Sequence, residues 1–335
     1  MRPLLKMAAT AAMGAVMLAS FGASAAEIKP AVVFDMGGKF DKSFNQSIYE
    51  GIEKFSKETG IKYRDFEVTN EAQREQFLRK MAQRGQSPII GVGFAQAAAL
   101  EKVAKEFPDL KFAIIDMVVD LPNVQSYIFK EQEGSYLVGI LAAMASKTGK
   151  VGYIGGMDIP MIRAFGCGYE QGAKMANPSV EVIQNMTGST PSAWNDPGRG
   201  SELSKGQFDR GVDVIYAAAG GTGVGVYQAA KDAGKLAIGV DSNQNYIHPG
   251  TMLTSMLKRV DVAAYNVFMD AKNGTWKAGI HNLGLKEDGV GWALDEYNKA
   301  MITPAMKAKV EQARADIISG KIVVHDYRAN NKCGM

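Results

Sequence analysis

The chain reads as an α/β protein: two lobes with parallel sheets, joined by short crossing segments. Three observations predict this. Short β-branched and aromatic runs alternate with amphipathic helices, the pattern of a parallel sheet covered on both faces. The alternation runs through about four strand–helix units, then starts again with no low-complexity linker between the halves. Removing a leader of 26 from the 335 residues leaves about 309, more than one ordinary core holds.

Residues 1–26 read as a secretory leader. Arg2 and Lys6 make a basic start, a short apolar run follows, and Ala23-Ser24-Ala25 forms an A-x-A-like cleavage site. The apolar run falls short of the roughly 20 residues a membrane span needs. No cysteine lies near the cleavage site, so no lipid attachment is expected there, and the mature chain is expected in the periplasm.

The mature chain then opens with a strand at 31–34 that ends on Asp35. A helix over 43–59 carries Phe44, Ile48, Ile52 and Phe55 on one side. Strands are predicted at 61–68, 87–93 and 111–116, with helices at 71–83 and 95–107. The second half repeats the pattern. Helices are predicted at 134–146, 162–175, 198–210 and 223–233, and strands at 151–156, 180–186, 212–217 and 236–241.

Composition is that of a globular protein, 46% hydrophobic and 22% charged. The formal charge of +3 loses Arg2 and Lys6 with the leader and falls near +1, so electrostatics give no case for nucleic acid. The three histidines, His248, His281 and His325, lack metal-ligand spacing, and no metal or cofactor is expected. No GxSxG, HExxH or Walker sequence occurs. Cys167 sits in an interior Gly-rich segment and Cys333 in a polar tail, so the two are expected to stay unpaired.

Ligands of open parallel sheets bind beyond the carboxyl ends of the strands. Three predicted strands end there in a carboxylate: Asp35, Asp116 and Asp241. Others end in glycine, at Gly93, Gly155-Gly156 and Gly220-Gly221. Such carboxylates accept hydrogen bonds from hydroxyls and ring N–H groups, although one strand-end Asp alone often only caps the next helix. Asp41 or Ser43 can cap the helix at 43–59, which puts Phe44 and Asn45 in its first turn. An aromatic beside an amide can stack on a planar ring and bind its edge, although Phe44 also fits a core role.

The segment Asp35-x-Gly-x-x-x-Asp41-x-Ser43-Phe44-Asn45-Gln46 resembles the opening of the BMP (basic membrane protein) family of ABC-transporter substrate-binding proteins. The resemblance continues through Gly91-Val92-Gly93-Phe94, Phe112-Ala113-Ile114-Ile115-Asp116, Phe165-x-x-Gly168-Tyr169, Ala219-Gly220-Gly221-Thr222-Gly223 and Gly239-Val240-Asp241-Ser242-Asn243-Gln244. It ends with Ser255-Met256-Leu257-Lys258-Arg259-Val260-Asp261 and covers essentially the whole mature chain.

The resemblance implies a type I periplasmic-binding-protein fold, two Rossmann-like lobes with parallel sheets joined by a hinge, with a purine nucleoside or related purine in the cleft between the lobes. It implies Phe44 as a stacking ring, Asn45 and Asp116 on the base, Asp241 and Lys258 on sugar hydroxyls, and Asp35 at the mouth. Phe94, Phe165 and Gly220 fall in its motifs. Tyr216 and Trp194 are both candidates for a second wall. The implied lobes are 27–129 with about 259–278, and 130–258 with about 279–325; 326–335 reads as a surface tail. The implied partner is a membrane permease, and a monomer is expected. A free base such as adenine, riboflavin, or a sensor role for a membrane receptor are alternatives. A purine-processing enzyme is the rival from another class, and it would need a metal or a nucleophile–base pair that the sequence does not display.

Overall fold

The computed structural model describes residues 28–334, so the expected leader at 1–26 lies outside the described residues. The first run of elements is β1 (Ala31–Phe34), α1 (Phe44–Thr59), β2 (Arg64–Glu67), α2 (Ala72–Gln83), β3 (Ile89–Val92), α3 (Ala97–Glu106), β4 (Phe112–Ile115) and β5 (Val124–Phe129). The second run is α4 (Glu131–Ala145), β6 (Lys150–Met157), α5 (Pro160–Ala176), β7 (Glu181–Gly188), α6 (Pro197–Asp209), β8 (Val214–Ala218), α7 (Gly223–Asp232), β9 (Leu236–Asp241) and β10 (Met252–Lys258). Then come α8 (Val260–Asn273), β11 (Gly279–Leu283), β12 (Val290–Trp292) and α9 (Pro304–Ile318).

Two six-stranded sheets result. The first has the order β2-β1-β3-β4-β5-β11 and is parallel throughout; the second has the order β7-β6-β8-β9-β10-β12, with only β12 antiparallel. The order reverses between β1 and β3, and again between β6 and β8, and such switch points open a crevice at the carboxyl ends of the strands. Central strands such as Ala31-Val32-Val33-Phe34 are buried at every position, because helices cover both faces of each sheet. Edge strand β2 keeps Arg64, Asp65 and Glu67 exposed, a charged rim that disfavours pairing with another chain.

The chain crosses between the sheets three times: after β5, after β10 and after β11. Neighbouring crossings bind each other, Lys130 N–H to the Leu283 carbonyl at 3.0 Å and Arg259 N–H to the Gly289 carbonyl at 2.8 Å. On the first sheet, α8 packs against α1 where Gly51 sits. A Cβ on Gly51 would lie 2.1 Å from the Asp261 carbonyl oxygen, so only glycine lets the two helices approach this closely.

Three expectations are corrected. Strand β11, at 279–283, pairs with β5 in the first sheet, so the boundary expected near 279 falls several residues too early. The tail is not a free extension, because Gln171 of α5 grips the His325 backbone, receiving its N–H at 2.9 Å and donating to its carbonyl at 3.0 Å. That contact carries the tail along α5, where Cys333 joins Cys167 with their Cα atoms 5.4 Å apart. The buried Cys167, expected to stay unpaired, meets its partner because the tail returns to it, which local sequence does not encode.

Replacing Gly51 by Ala is expected to destabilise the protein by about 1–3 kcal/mol, since backbone has to give way for the new methyl. Chemical denaturation of wild type and variant checks this.

Candidate functional site

The cleft lies where the carboxyl ends of the two sheets face each other. Its lining comes from the loop after β1 (Asp35, Met36, Asp41), the start of α1 (Phe44, Asn45), and the turns after β3 (Gly93, Phe94) and β4 (Asp116). The other lobe supplies Met161, Ile162 and Phe165 of α5, Trp194, Ala218, Gly220, Val240, Asp241 and Lys258. Ten of the eleven residues singled out from the sequence therefore meet in one place: Asp35, Phe44, Asn45, Phe94, Asp116, Phe165, Trp194, Gly220, Asp241 and Lys258.

Tyr216 does not. It is fully buried on β8, with its ring against Tyr153 and Tyr169 at 5.5 and 5.3 Å between centroids and its hydroxyl 3.4 Å from Ser135. The reason is distance along the strand. Ala218 shares its face two residues on, about 6.6 Å nearer the mouth, and it is Ala218 that lines the cleft. Sequence reasoning also missed Met36, Met161, Ile162 and Val240, which carry no polar signature, and it read Asp41 only as a cap.

Asp41 is indeed the cap. Its carboxylate accepts from the backbone N–H groups of Ser43, Asn45 and Gln46 at 2.8–3.1 Å and from the Asn45 side-chain amide at 3.2 Å. That fixes the amide with its carbonyl oxygen, Oδ1, buried and without a hydrogen-bond partner among the described residues. Ser43, relieved of capping, turns its hydroxyl across the cleft to Asp241. Asp35 accepts from Met36 N–H at 2.9 Å and from Arg74 at 3.0 Å, so this carboxylate is already committed to a partner at the mouth.

Lys258 holds the centre. Its side chain is almost wholly buried, with its ammonium 2.7 and 2.8 Å from the two Asp116 oxygens and 3.1 Å from Glu131. The rings of Phe44, Phe129 and Phe165 surround it at 5.2–5.5 Å, a cage for a cation. Asp116 and Asp241 both adopt left-handed backbone, φ 74° and 65°, a costly conformation for non-glycine residues that concentrates at functional sites.

Electrostatics follow from this burial. Burial pushes Asp116 up, against the pull of Lys258, and raises Asp241 from 3.8 to about 6. Burial also opposes the Lys258 ammonium, but the Asp116, Glu131 and Asp241 carboxylates outweigh it and hold its pKa above the ordinary lysine value. Among the described residues, no group of three or more His, Cys, Asp or Glu is placed to hold a metal ion, and no helix is long and apolar enough to cross a membrane.

Trp194 ends a 3-10 turn, Pro191–Trp194, and lays its ring on Gly156, where a Cβ would come within 2.2 Å of the ring. The aromatic surfaces of the cleft are therefore Phe44 and Phe94 on one lobe, and Phe165 and Trp194 on the other.

Residues 28–327 match the Bmp family, described as ABC transporter substrate-binding protein, PnrA-like. The chain belongs to the Bmp family. Its members are solute-binding proteins rather than enzymes, and the class is extracytoplasmic. The ABC transporter nucleoside-binding protein BmpA of Lactococcus lactis is 34% identical over 321 residues, covering 89% of each chain. The CD4+ T-cell-stimulating antigen of Listeria monocytogenes is 34% identical over 327 residues, covering 90% of this chain and 89% of its own. A crystal structure of ABC transporter system solute-binding proteins from Aeropyrum pernix K1 superposes with a TM-score of 0.82 at 32% identity, covering 91% of this chain and 95% of that one. This Bmp chain thus has the type I periplasmic-binding architecture. A Pyrococcus abyssi relative, 36% identical over 288 residues, is named a lipoprotein, so the expectation of no lipid attachment does not extend across the family. In this chain both cysteines, Cys167 and Cys333, lie far from residues 1–26, where a leader is expected.

The Asp241 carboxyl stands above its usual value, so the stability it contributes is complete below pH 3.8 and is lost as pH rises through about 6. Asp241→Asn is therefore expected to raise the melting temperature of the ligand-free protein at pH 7 and to gain much less at pH 4. Scanning calorimetry at the two pH values decides it, and an equal gain at both excludes the buried-charge account.

Proposed function

We propose that this protein is the periplasmic receptor of an ABC importer, closing on a purine nucleoside or related purine and presenting it to a membrane permease. The observation that carries the reading is the convergence of both lobes on one cleft. Aromatic faces stand beside an unpartnered amide oxygen, Asn45 Oδ1, and beside the strand-end carboxylates Asp116 and Asp241. A purine offers what these groups take: a flat apolar face and N–H donors on its edge. A nucleoside adds hydroxyls for Asp241 and Lys258. The nucleoside-binding name of the Lactococcus lactis relative supports the same class.

The mechanism is hinge closure. The cleft keeps a cavity of about 70 Å³, against the roughly 300–1,000 Å³ of ordinary ligand pockets, so the lobes must part before a heterocycle enters. A ligand held by both lobes then favours the closed form by its differential affinity for it. The permease reads the closed form as occupancy. No bond in the ligand is made or broken.

A free purine base is the second reading, favoured by the Ser43 hydroxyl already occupying Asp241 and by the small cavity.

Phe44→Ala is expected to weaken binding by about 1–3 kcal/mol through lost stacking and burial. Calorimetry with guanosine, adenosine and adenine tests this, and unchanged affinity in the folded variant removes Phe44 from the site. Asp241→Ala is expected to cost guanosine more affinity than guanine. Equal losses would assign Asp241 to the base or to structure rather than to ribose.

A further inference from the structure

We infer that Arg328, in the C-terminal tail, is a positioning residue for the ligand site, acting through Glu131 on Lys258. The inference rests on the proposed reading of Lys258 as a ligand contact. Glu131 is the first residue of α4, placed by the crossing after β5 and only 1% exposed. A carboxylate buried this deeply is costly unless it is paired or well hydrogen-bonded. Its Oε1 lies 3.1 Å from the Lys258 ammonium and its Oε2 lies 3.0 Å from the Arg328 guanidinium. The same guanidinium donates to the Phe129 carbonyl at 3.1 Å, on the last residue of β5, and reaches Gln132 at 3.3 Å.

Charge balance shows what Arg328 does. Three buried carboxylates, Asp116, Glu131 and Asp241, surround Lys258; the pKa values of Asp116 and Asp241 both register Lys258 and Glu131, and that of Lys258 registers all three carboxylates. With Arg328 shared between Glu131 and Asp326 of its own tail, four carboxylates share two cations. Without it, Lys258 alone serves the three buried ones, and Glu131 draws the ammonium from Asp116 and from the cleft. The carboxylates around Arg328, led by Glu131, also hold its own pKa above the ordinary arginine value despite burial.

The tail is fastened on both sides of Arg328. Upstream, His325 is bound through its backbone to Gln171. Asp326 braces the guanidinium, accepting from Arg328 Nε at 2.9 and 3.0 Å and from its backbone N–H at 2.9 Å. Downstream, Cys333 is joined to Cys167 of α5. A segment that was only a surface extension would not need this many restraints around one side chain aimed at the hinge.

The test is a double-mutant cycle on the full mature chain, read in two ways. The first readout needs no ligand: the Nζ resonance of Lys258 in lysine-labelled protein, which its burial protects from exchange. Arg328→Met is expected to shift that resonance, Arg328→Lys to shift it less, and the added Glu131→Gln to return it toward wild type, because removing the carboxylate restores the balance that removing the guanidinium upset. The second readout is calorimetric affinity for guanosine and adenine. Arg328→Met is expected to lose about tenfold, and the double variant to recover most of it. An unshifted Lys258 resonance in Arg328→Met, or a double variant no better than the single one in either readout, overturns the inference. If the wild type binds neither probe, the purine reading falls and the Lys258 resonance alone decides the positioning role; if Arg328→Met does not fold, Arg328→Lys carries the same comparison.

Discussion

One buried ammonium organises this molecule. Lys258 ends β10 in the second lobe, yet its closest partner is Asp116 of the first, so the pair spans the cleft and forms only when the lobes meet. Burying an ion pair brings little net stability, because desolvation consumes most of the Coulomb attraction. Breaking such a pair is costly, however, since it strands a charge. The closed arrangement is therefore narrow rather than deep: it tolerates few displacements of these side chains but is not strongly favoured on its own. That is the condition under which a ligand of modest size can decide the position of the hinge.

The rest of the site can be read as arrangements around that ammonium. Asp116 and Asp241, both in left-handed backbone at their strand ends, bring two carboxylates to the cleft beside it. The rings of Phe44, Phe129 and Phe165 lower the local dielectric and offer their faces to the charge. Asp41 serves α1 instead of the cleft, and by doing so holds Asn45 with its oxygen free. The polar atom this leaves over, Asn45 Oδ1, is of the kind a heterocycle's N–H would satisfy.

Much of this was legible in the sequence because the encoding is local. A strand that ends in Asp announces a strand-end carboxylate, and β9 occupies the very residues its apolar run predicts, 236–241. That a polar side chain just before α1 caps it also follows from spacing, although the spacing leaves Asp41 and Ser43 both open and the structure decides for Asp41. What failed was whatever depends on long separations or on position along a strand. Tyr216 carries the right chemistry on the right strand but sits two residues too deep, where α4 and α5 bury it. Among the strands after residue 250, β11 was hidden by its partner's distance: it pairs with a strand more than 150 residues earlier, and its sequence of mixed polarity shows no clean alternation. The cysteine pair spans 166 residues, and nothing around Cys333 points to α5.

Two classes of contact join the lobes, and their difference explains how closure can be selective. At the rim, the Lys42 carbonyl accepts from the Gln244 side-chain amide at 2.7 Å and from the Ser242 hydroxyl at 3.1 Å. These bonds form whenever the lobes meet, whatever lies between them, so they cannot discriminate among ligands. At the centre, the contacts of Lys258, Asp116, Asp241 and Ser43 occupy the space a ligand would enter. A correct ligand must take over those partners; an incorrect one leaves a buried donor or acceptor unmatched, at a cost of roughly 1–3 kcal/mol each. Rim bonds thus lower the energy of closing for every occupant equally, while the centre sets which occupant lets it happen. Selectivity in such a receptor resides less in how tightly the cleft grips than in how few ways it has of closing without a stranded charge.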